Sequence, residues 1–216
     1  MKLEYVTIEK RGPIAVVRFD RKGSLNAFNE QLVIELTHAA KSFHDDLDTQ
    51  AVVLAGAPNA FSAGFDLKAT DGWPTEKDDL KRRHRAYNGV RLCKAWEEMP
   101  QITIAAMEKL SVGAGCAIAL ACDWRVLGRG AYLYVPEVKI GLNLQWGALP
   151  RLISLVGPAR AKRITLRSVR IGSIRLENVD AMVLDEGALG HNLLGMSFLR
   201  RLARFEIKRG VLELER

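Results

Sequence analysis

The sequence predicts an α/β fold with parallel strand pairings. Short apolar runs alternate several times with helical patterns along the 216 residues, which favours crossover connections and a parallel sheet. Two of those runs lead straight into small-residue turns, "AFSAGFDL" and "SVGAGCA". The composition, 48% hydrophobic and 26% charged, is ordinary for a soluble globular chain long enough to bury a core.

Residues 4–10 and 14–20, "EYVTIEK" and "IAVVRFD", flank "RGP" and read as a β-hairpin. "RKGSLNAF" (21–28) is a loop. Asn29 can cap the next helix, where Leu32, Val33, Leu36 and Ala40 share a face. "AVVLAGA" (51–57) is a buried strand, followed by the loop "PNAFSAGFDLK" (58–68). Residues 69–79 read as an exposed, mobile connection. One helix is expected from Asp79 to Met99, where Pro100 stops it, and "QITIAAM" (101–107) is another buried strand. "SVGAGCAIALACDW" then opens a helix over 114–121, before a strand over 123–128. "AYLYVPEVKIGL" (131–142) is a short strand and a turn. Two helices, "GALPRLISLVG" and "PARAKRITL", are separated by Gly157 and Pro158. Beyond Ala159 there is no proline. The end, "FLRRLARFEIKRGVLELER", has helical periodicity and many charges, so it reads as a surface helix or a partly ordered segment.

No apolar run is long enough to span a bilayer, and the N-terminus reads as a strand rather than a signal peptide. A cytoplasmic protein without membrane association is expected. Cys93, Cys116 and Cys122 sit among apolar residues at no metal or redox spacing and read as buried thiols. The four histidines are scattered, so no metal site is expected. The net charge is +7, with 12 Lys/Arg against 7 Asp/Glu in residues 159–216 and a second cluster, "KRRHR", at 81–85. Such surfaces suit phosphates of any origin. Each cluster alone is more often a solvated helix face, so a nucleic-acid partner is disfavoured.

The two small-residue turns would both lie at carboxyl ends of strands, where α/β sheets bind ligands. Each offers backbone N–H groups free of bulky neighbours. Two such donors aimed at one point make an oxyanion hole, as a thioester that becomes an enolate requires. Either turn alone is weak evidence, because glycine turns before helices are common. The helix at 114–121 holds no acid or base, so a proton carrier must come from elsewhere. Glu137 in "YVPEVKIGL" is the candidate. Apolar surroundings raise a carboxyl's proton affinity toward neutral pH. By pattern alone it is more often a surface Glu.

The pieces "DRKGSLNAF", "AFSAGFDLK", "SVGAGCAIALACDWRV", "VPEVKIGL" and "LPRLISLVGPARAKRI" resemble the crotonase superfamily of enoyl-CoA hydratases and isomerases in order and spacing. The resemblance covers about three quarters of the chain, residues 4–166. It implies the crotonase (ClpP-like) ββα-superhelix fold over residues 1–166, with a divergent helical C-terminal segment over 167–216. It implies that Phe65 and Ala114 N–H groups form the oxyanion hole for an acyl-CoA thioester, with Glu137 as proton shuttle. Lys22, Ser24, Leu25, Phe65, Asp66, Leu67 and Lys68 would meet the coenzyme A part, beside Arg21. Lys68 is the best candidate for a phosphate contact, and Asp66 for a structural role at its turn. Coenzyme A would arrive as part of the substrate, with no tightly bound cofactor, and the assembly would be a homotrimer or hexamer.

The departures from the family pattern carry the finer reading. Hydratases of the family hold a water between two glutamates. One of these matches Ala117 and the other matches Glu137. A single carboxylate can move a proton from C2 to C4 of an enoyl-CoA, so isomerisation ranks above hydration. Hydrolysis, decarboxylation and plain acyl-CoA binding are the alternatives on one scaffold. Lys109 stands where the family usually has glycine. Trp146 replaces a small residue beside the acyl pocket and is expected to narrow it toward compact acyl groups. "AMVLDEGA" (181–188) only loosely echoes a family motif, and the expected end is shorter than the family's helical tail.

Overall fold

The computed structural model describes residues 2–68, 77–137 and 142–165, and the strands at 168–171, 174–177, 204–208 and 211–215. The chain divides into two compact units, Met1–Leu152 and Ile153–Arg216.

In the first unit, β1 (Val6–Arg11) and β2 (Ile14–Phe19) form the expected hairpin, with Val6 opposite Phe19. Alternation along β2 buries Ala15, Val17 and Phe19, the period-two signature of a strand with one face on the core. α1 (Glu30–Ser42) starts where the Asn29 side chain accepts the Leu32 N–H at 2.9 Å. Its buried face presents Leu32, Val33, Leu36, Ala39 and Ala40. It crosses over to β3 (Ala51–Ala55), which runs parallel to β2.

The helix expected over Asp79–Met99 is two helices, α2 (Asp79–Ala86) and α3 (Asn88–Glu97). The reason is a change of environment at Tyr87. α2 buries no residue, whereas α3 buries Leu92, Cys93, Ala95 and Trp96. Gly89 near the start of α3 also lowers its helical preference. The Trp96 indole N–H donates to Leu36 O at 3.2 Å and ties α3 to α1.

β4 (Ile102–Met107) follows, parallel to β3. β5 (Leu110–Val112) leads into α4, which spans Ala114–Ala121 as the sequence predicts. α4 is buried from Gly115 to Ala121, as a helix apolar all round must be. β6 (Trp124–Leu127) pairs parallel with β4 and completes a sheet of order β1-β2-β3-β4-β6. β7 (Tyr132–Tyr134) pairs parallel with β5, and a bridge from Ser62 to Ser111 joins this smaller layer to the loop after β3. The three cysteines are buried and unbonded. Burial pushes the Cys93 thiol up to about 12 and that of Cys116 up to about 11, far from reactive thiolates.

α5 (Ala148–Val156) carries the chain into the second unit, which continues with α6 (Pro158–Thr165). Beyond it, where a helical segment is expected, the described residues form strands. β8 (Ser168–Ile171) pairs antiparallel with β9 (Ile174–Glu177), and β10 (Arg204–Lys208) with β11 (Val211–Glu215). In "RFEIK" (204–208) and "LELE" (212–215) apolar and charged residues alternate, a period that suits strands. The expectations at 69–76 and at 181–188 fall outside the described residues.

Candidate active site

The loop after β3 turns tightly at Gly56, where a Cβ would come within 2.6 Å of the Phe61 backbone. Ser62 N–H then donates to Leu110 O, and Val112 N–H to Ser62 O, at 3.1 and 2.9 Å. These bonds lay the loop along β5. Gly64 has φ +94°, and a Cβ there would meet Val112 O at 2.9 Å and Ala114 N at 3.7 Å. Only glycine allows that approach. Phe65 is the next residue along the chain.

The second turn is set by Gly113, at φ +49°, whose N–H donates to Tyr134 O at 3.0 Å. Ala114 is the first residue of α4, so its N–H has no acceptor within the helix. Neighbours of Phe65 are paired on both sides: Phe28 N–H donates to Gly64 O at 2.7 Å, and Asp66 N–H to Phe28 O at 2.9 Å. Phe65 and Ala114 themselves contribute no N–H to these bonds, and both residues line a cavity of about 240 Å³.

Glu137 lines the same cavity. A Cβ on Gly113 would fall 2.7 Å from its Oε1, so glycine makes room for the carboxyl. Its Oε2 is buried without a hydrogen-bond partner. Burial holds its pKa above the ordinary carboxylate range. Ala117 also lines the cavity and is 1% exposed. Among the described residues, the other carboxylate on the wall is that of Glu30, 3.8 Å from Arg85. Glu97, Glu98 and Glu108 are not on the wall.

The two loops that carry the residues expected to meet coenzyme A are bonded to each other. Ala63 N–H donates to Leu25 O at 3.0 Å, and Arg21 bridges to Asp66 at 2.8 Å. Asp66 Oδ1 also accepts Lys68 N–H at 3.1 Å. Phe65 and Leu67 reach the cavity wall, whereas Leu25, Asp66 and Lys68 do not. Lys22, at φ +53°, borders a separate recess with Asp20 and Asn26. Leu25, Leu67 and Lys68 are exposed.

Sequence reasoning missed four residues here. Glu30 and Arg85 line the cavity, and Arg85 was hidden in a charge run that is otherwise solvated. Gly89 and Arg151 support the wall at Trp146. Gly89 left one trace, a glycine inside a helical pattern, which usually has a packing reason.

The enoyl-CoA hydratase/isomerase family model matches residues 9–179. The chain belongs to the enoyl-CoA hydratase/isomerase family. Among its relatives, a probable mitochondrial enoyl-CoA hydratase of Dictyostelium discoideum is 32% identical over 79% of this chain and 60% of its own length. The short-chain-enoyl-CoA hydratase of Clostridium acetobutylicum is 31% identical over 79% of this chain and 64% of its own. The solved structure of Pseudomonas aeruginosa DspI matches with a TM-score of 0.68 at 29% identity, covering 80% of this chain and 63% of that one. An enoyl-CoA hydratase from Bacillus anthracis gives 0.68 at 26%, over 75% and 62%. This family member thus spans about three fifths of the length of those relatives and shares their crotonase fold. Among its described residues, no helix is long and apolar enough to cross a membrane.

Proposed function

We propose that the chain acts on enoyl-CoA thioesters and shifts their double bond. The Phe65 and Ala114 amides would donate to the thioester oxygen. Glu137 would take a proton from C2 as the electron pair moves onto that oxygen. Collapse of the enolate would return the proton from Glu137 to C4, leaving the double bond displaced and the carboxylate free again. Losing one oxyanion donor typically costs on the order of a hundred- to a thousandfold in rate. The supporting observation is the buried Glu137 carboxyl beside Gly113, whose Oε2 has no hydrogen-bond partner, with apolar Ala117 on the wall at the place matched to a water-holding acid. Glu30 is on the wall, but Arg85 is its neighbour and competes for its charge.

Glu137→Gln is expected to lower the double-bond shift by about 10²- to 10⁴-fold while acyl-CoA affinity stays within a fewfold, since the amide keeps the shape. NMR of the olefinic protons reads the first, and calorimetry with a saturated acyl-CoA reads the second. Full turnover in Glu137→Gln would sink the assignment.

A second reading, hydration, is favoured by the names of the Dictyostelium and Clostridium relatives, both called enoyl-CoA hydratases. A panel of enoyl-CoA thioesters analysed by mass spectrometry separates the two. Gain of one water supports hydration, and double-bond migration at unchanged mass supports isomerisation.

A further inference from the structure

Trp146 stands on the cavity wall in an unusual backbone conformation. Its φ is +59°, and that of Gly147 is +68°. A left-handed backbone is unfavourable for a non-glycine residue, so something must hold this turn. The holder is Arg151. Its Nη1 donates to Trp146 O at 3.1 Å and to Gly147 O at 3.0 Å. Its Nε and Nη2 donate to Glu97 Oε1 and Oε2 at 2.9 and 2.5 Å. One guanidinium therefore clamps two carbonyls of the turn to the end of α3, with the bidentate geometry that lysine cannot reproduce. The Arg151 side chain is 13% exposed and that of Glu97 48%, so the guanidinium is enclosed while the carboxylate faces solvent.

The same helix receives the indole. A Cβ on Gly89 would fall among the Cε2, Nε1 and Cδ1 atoms of Trp146, well inside contact distance. Phe28 and Phe65 meet the indole edge-on, with centroids 5.6 and 6.3 Å away. Phe65 carries one of the two amides assigned to the thioester oxygen, so the indole borders the place where the acyl chain would begin.

We propose that Arg151 and Glu97 are positioning residues that set acyl-chain selectivity. They hold the Trp146 indole on its Gly89 seat as a fixed wall, which admits compact acyl groups and refuses long ones. The proposal rests on the acyl-CoA reading above, but its test is binding alone. The probes are butanoyl-CoA and dodecanoyl-CoA, saturated thioesters that cannot be isomerised, titrated calorimetrically into the full chain. The quantity read is the ratio of their two Kd values on one preparation, which a partly unfolded variant still reports.

The unaltered chain is expected to favour the short thioester by about tenfold or more, since a hydrophobic pocket discriminates single methylenes by roughly 10- to 200-fold. Trp146→Ala should abolish that preference. Arg151→Gln and Glu97→Gln should shrink it severalfold, and Arg151→Lys, which keeps the charge without the fork, should not restore it. Gly89→Ala, which favours the helix, should shift the ratio by unseating the indole. In a Trp146→Ala background, Arg151→Gln should change the ratio no further. The proposal is overturned if Arg151→Gln and Gly89→Ala keep the original ratio, or if the Arg151 effect persists without Trp146. Equal binding of both thioesters by the unaltered chain overturns the proposal alone. Failure to bind either thioester overturns the acyl-CoA reading as well.

Discussion

At the scale of single residues, the sign of φ separates two kinds of departure from the family pattern. Ala117 replaces an acid with a side chain that fits its buried place, so nothing strains. Lys109 replaces a glycine in a turn that still requires the left-handed region, at φ +53°. The Lys109 carbonyl accepts the Tyr132 N–H at 2.7 Å and starts the β5–β7 pairing, so the backbone cannot relax elsewhere. A non-glycine residue there costs about 1–2 kcal/mol in the fold, partly offset by its smaller chain entropy when unfolded. Lys109→Gly is therefore expected to raise stability, by up to about 1 kcal/mol, in urea denaturation. A loss of stability would mean that the lysine side chain makes a compensating contact.

At the scale of elements, one buried acid fixes the first strand to the first helix. Glu35 is fully buried on α1 and accepts the backbone N–H groups of Glu4, Tyr5 and Val6 at 3.0, 2.8 and 3.1 Å. Burial pushes its pKa up, but the Gln31 side chain and those three amides outweigh it and hold the group below the usual range. A lowered folded pKa contributes stability above the unfolded value of about 4.3 and loses it as pH falls further. Glu35→Gln leaves a buried N–H unpaired and is expected to cost about 1–3 kcal/mol at neutral pH. The gap to the unaltered chain should narrow in acid, and melts at several pH values would check both. Glu35 also shows what a sequence conceals. Its partners lie about thirty positions away, and periodicity marks only the apolar face around it. α4 was legible to the residue because two glycines flank Ala114 and the run behind is uniformly apolar. β10 and β11 were not, because charges spaced for a strand also fit a helix face. The turns of Phe65 and Ala114 announced themselves through small residues. The Arg151–Glu97 clamp joins side chains 54 positions apart, and no local pattern marks it.

At the scale of the whole molecule, the site and the fold make opposite demands on Glu137. The fold gathers Phe65, Ala114 and Glu137 from three separate segments around one cavity. That gathering removes water from the carboxyl and raises its pKa. A base with higher proton affinity is the better shuttle near neutral pH, yet its ionised form is held where charge is poorly solvated. The folded state therefore binds the proton more tightly than the unfolded chain does. Stability from this group is greatest below the unfolded value of about 4.3, and falls as pH rises through the higher folded value. Glu137→Gln removes the charge and keeps the shape. It is expected to melt at a higher temperature than the unaltered chain at neutral pH, with the difference closing as the buffer is taken below about 4. Calorimetric scans of both proteins across that range measure the effect. Equal melting temperatures at neutral pH, or a difference that ignores pH, would show that the carboxyl is as well solvated in the fold as in the unfolded chain. Its fitness as the proton carrier would then have lost its physical basis.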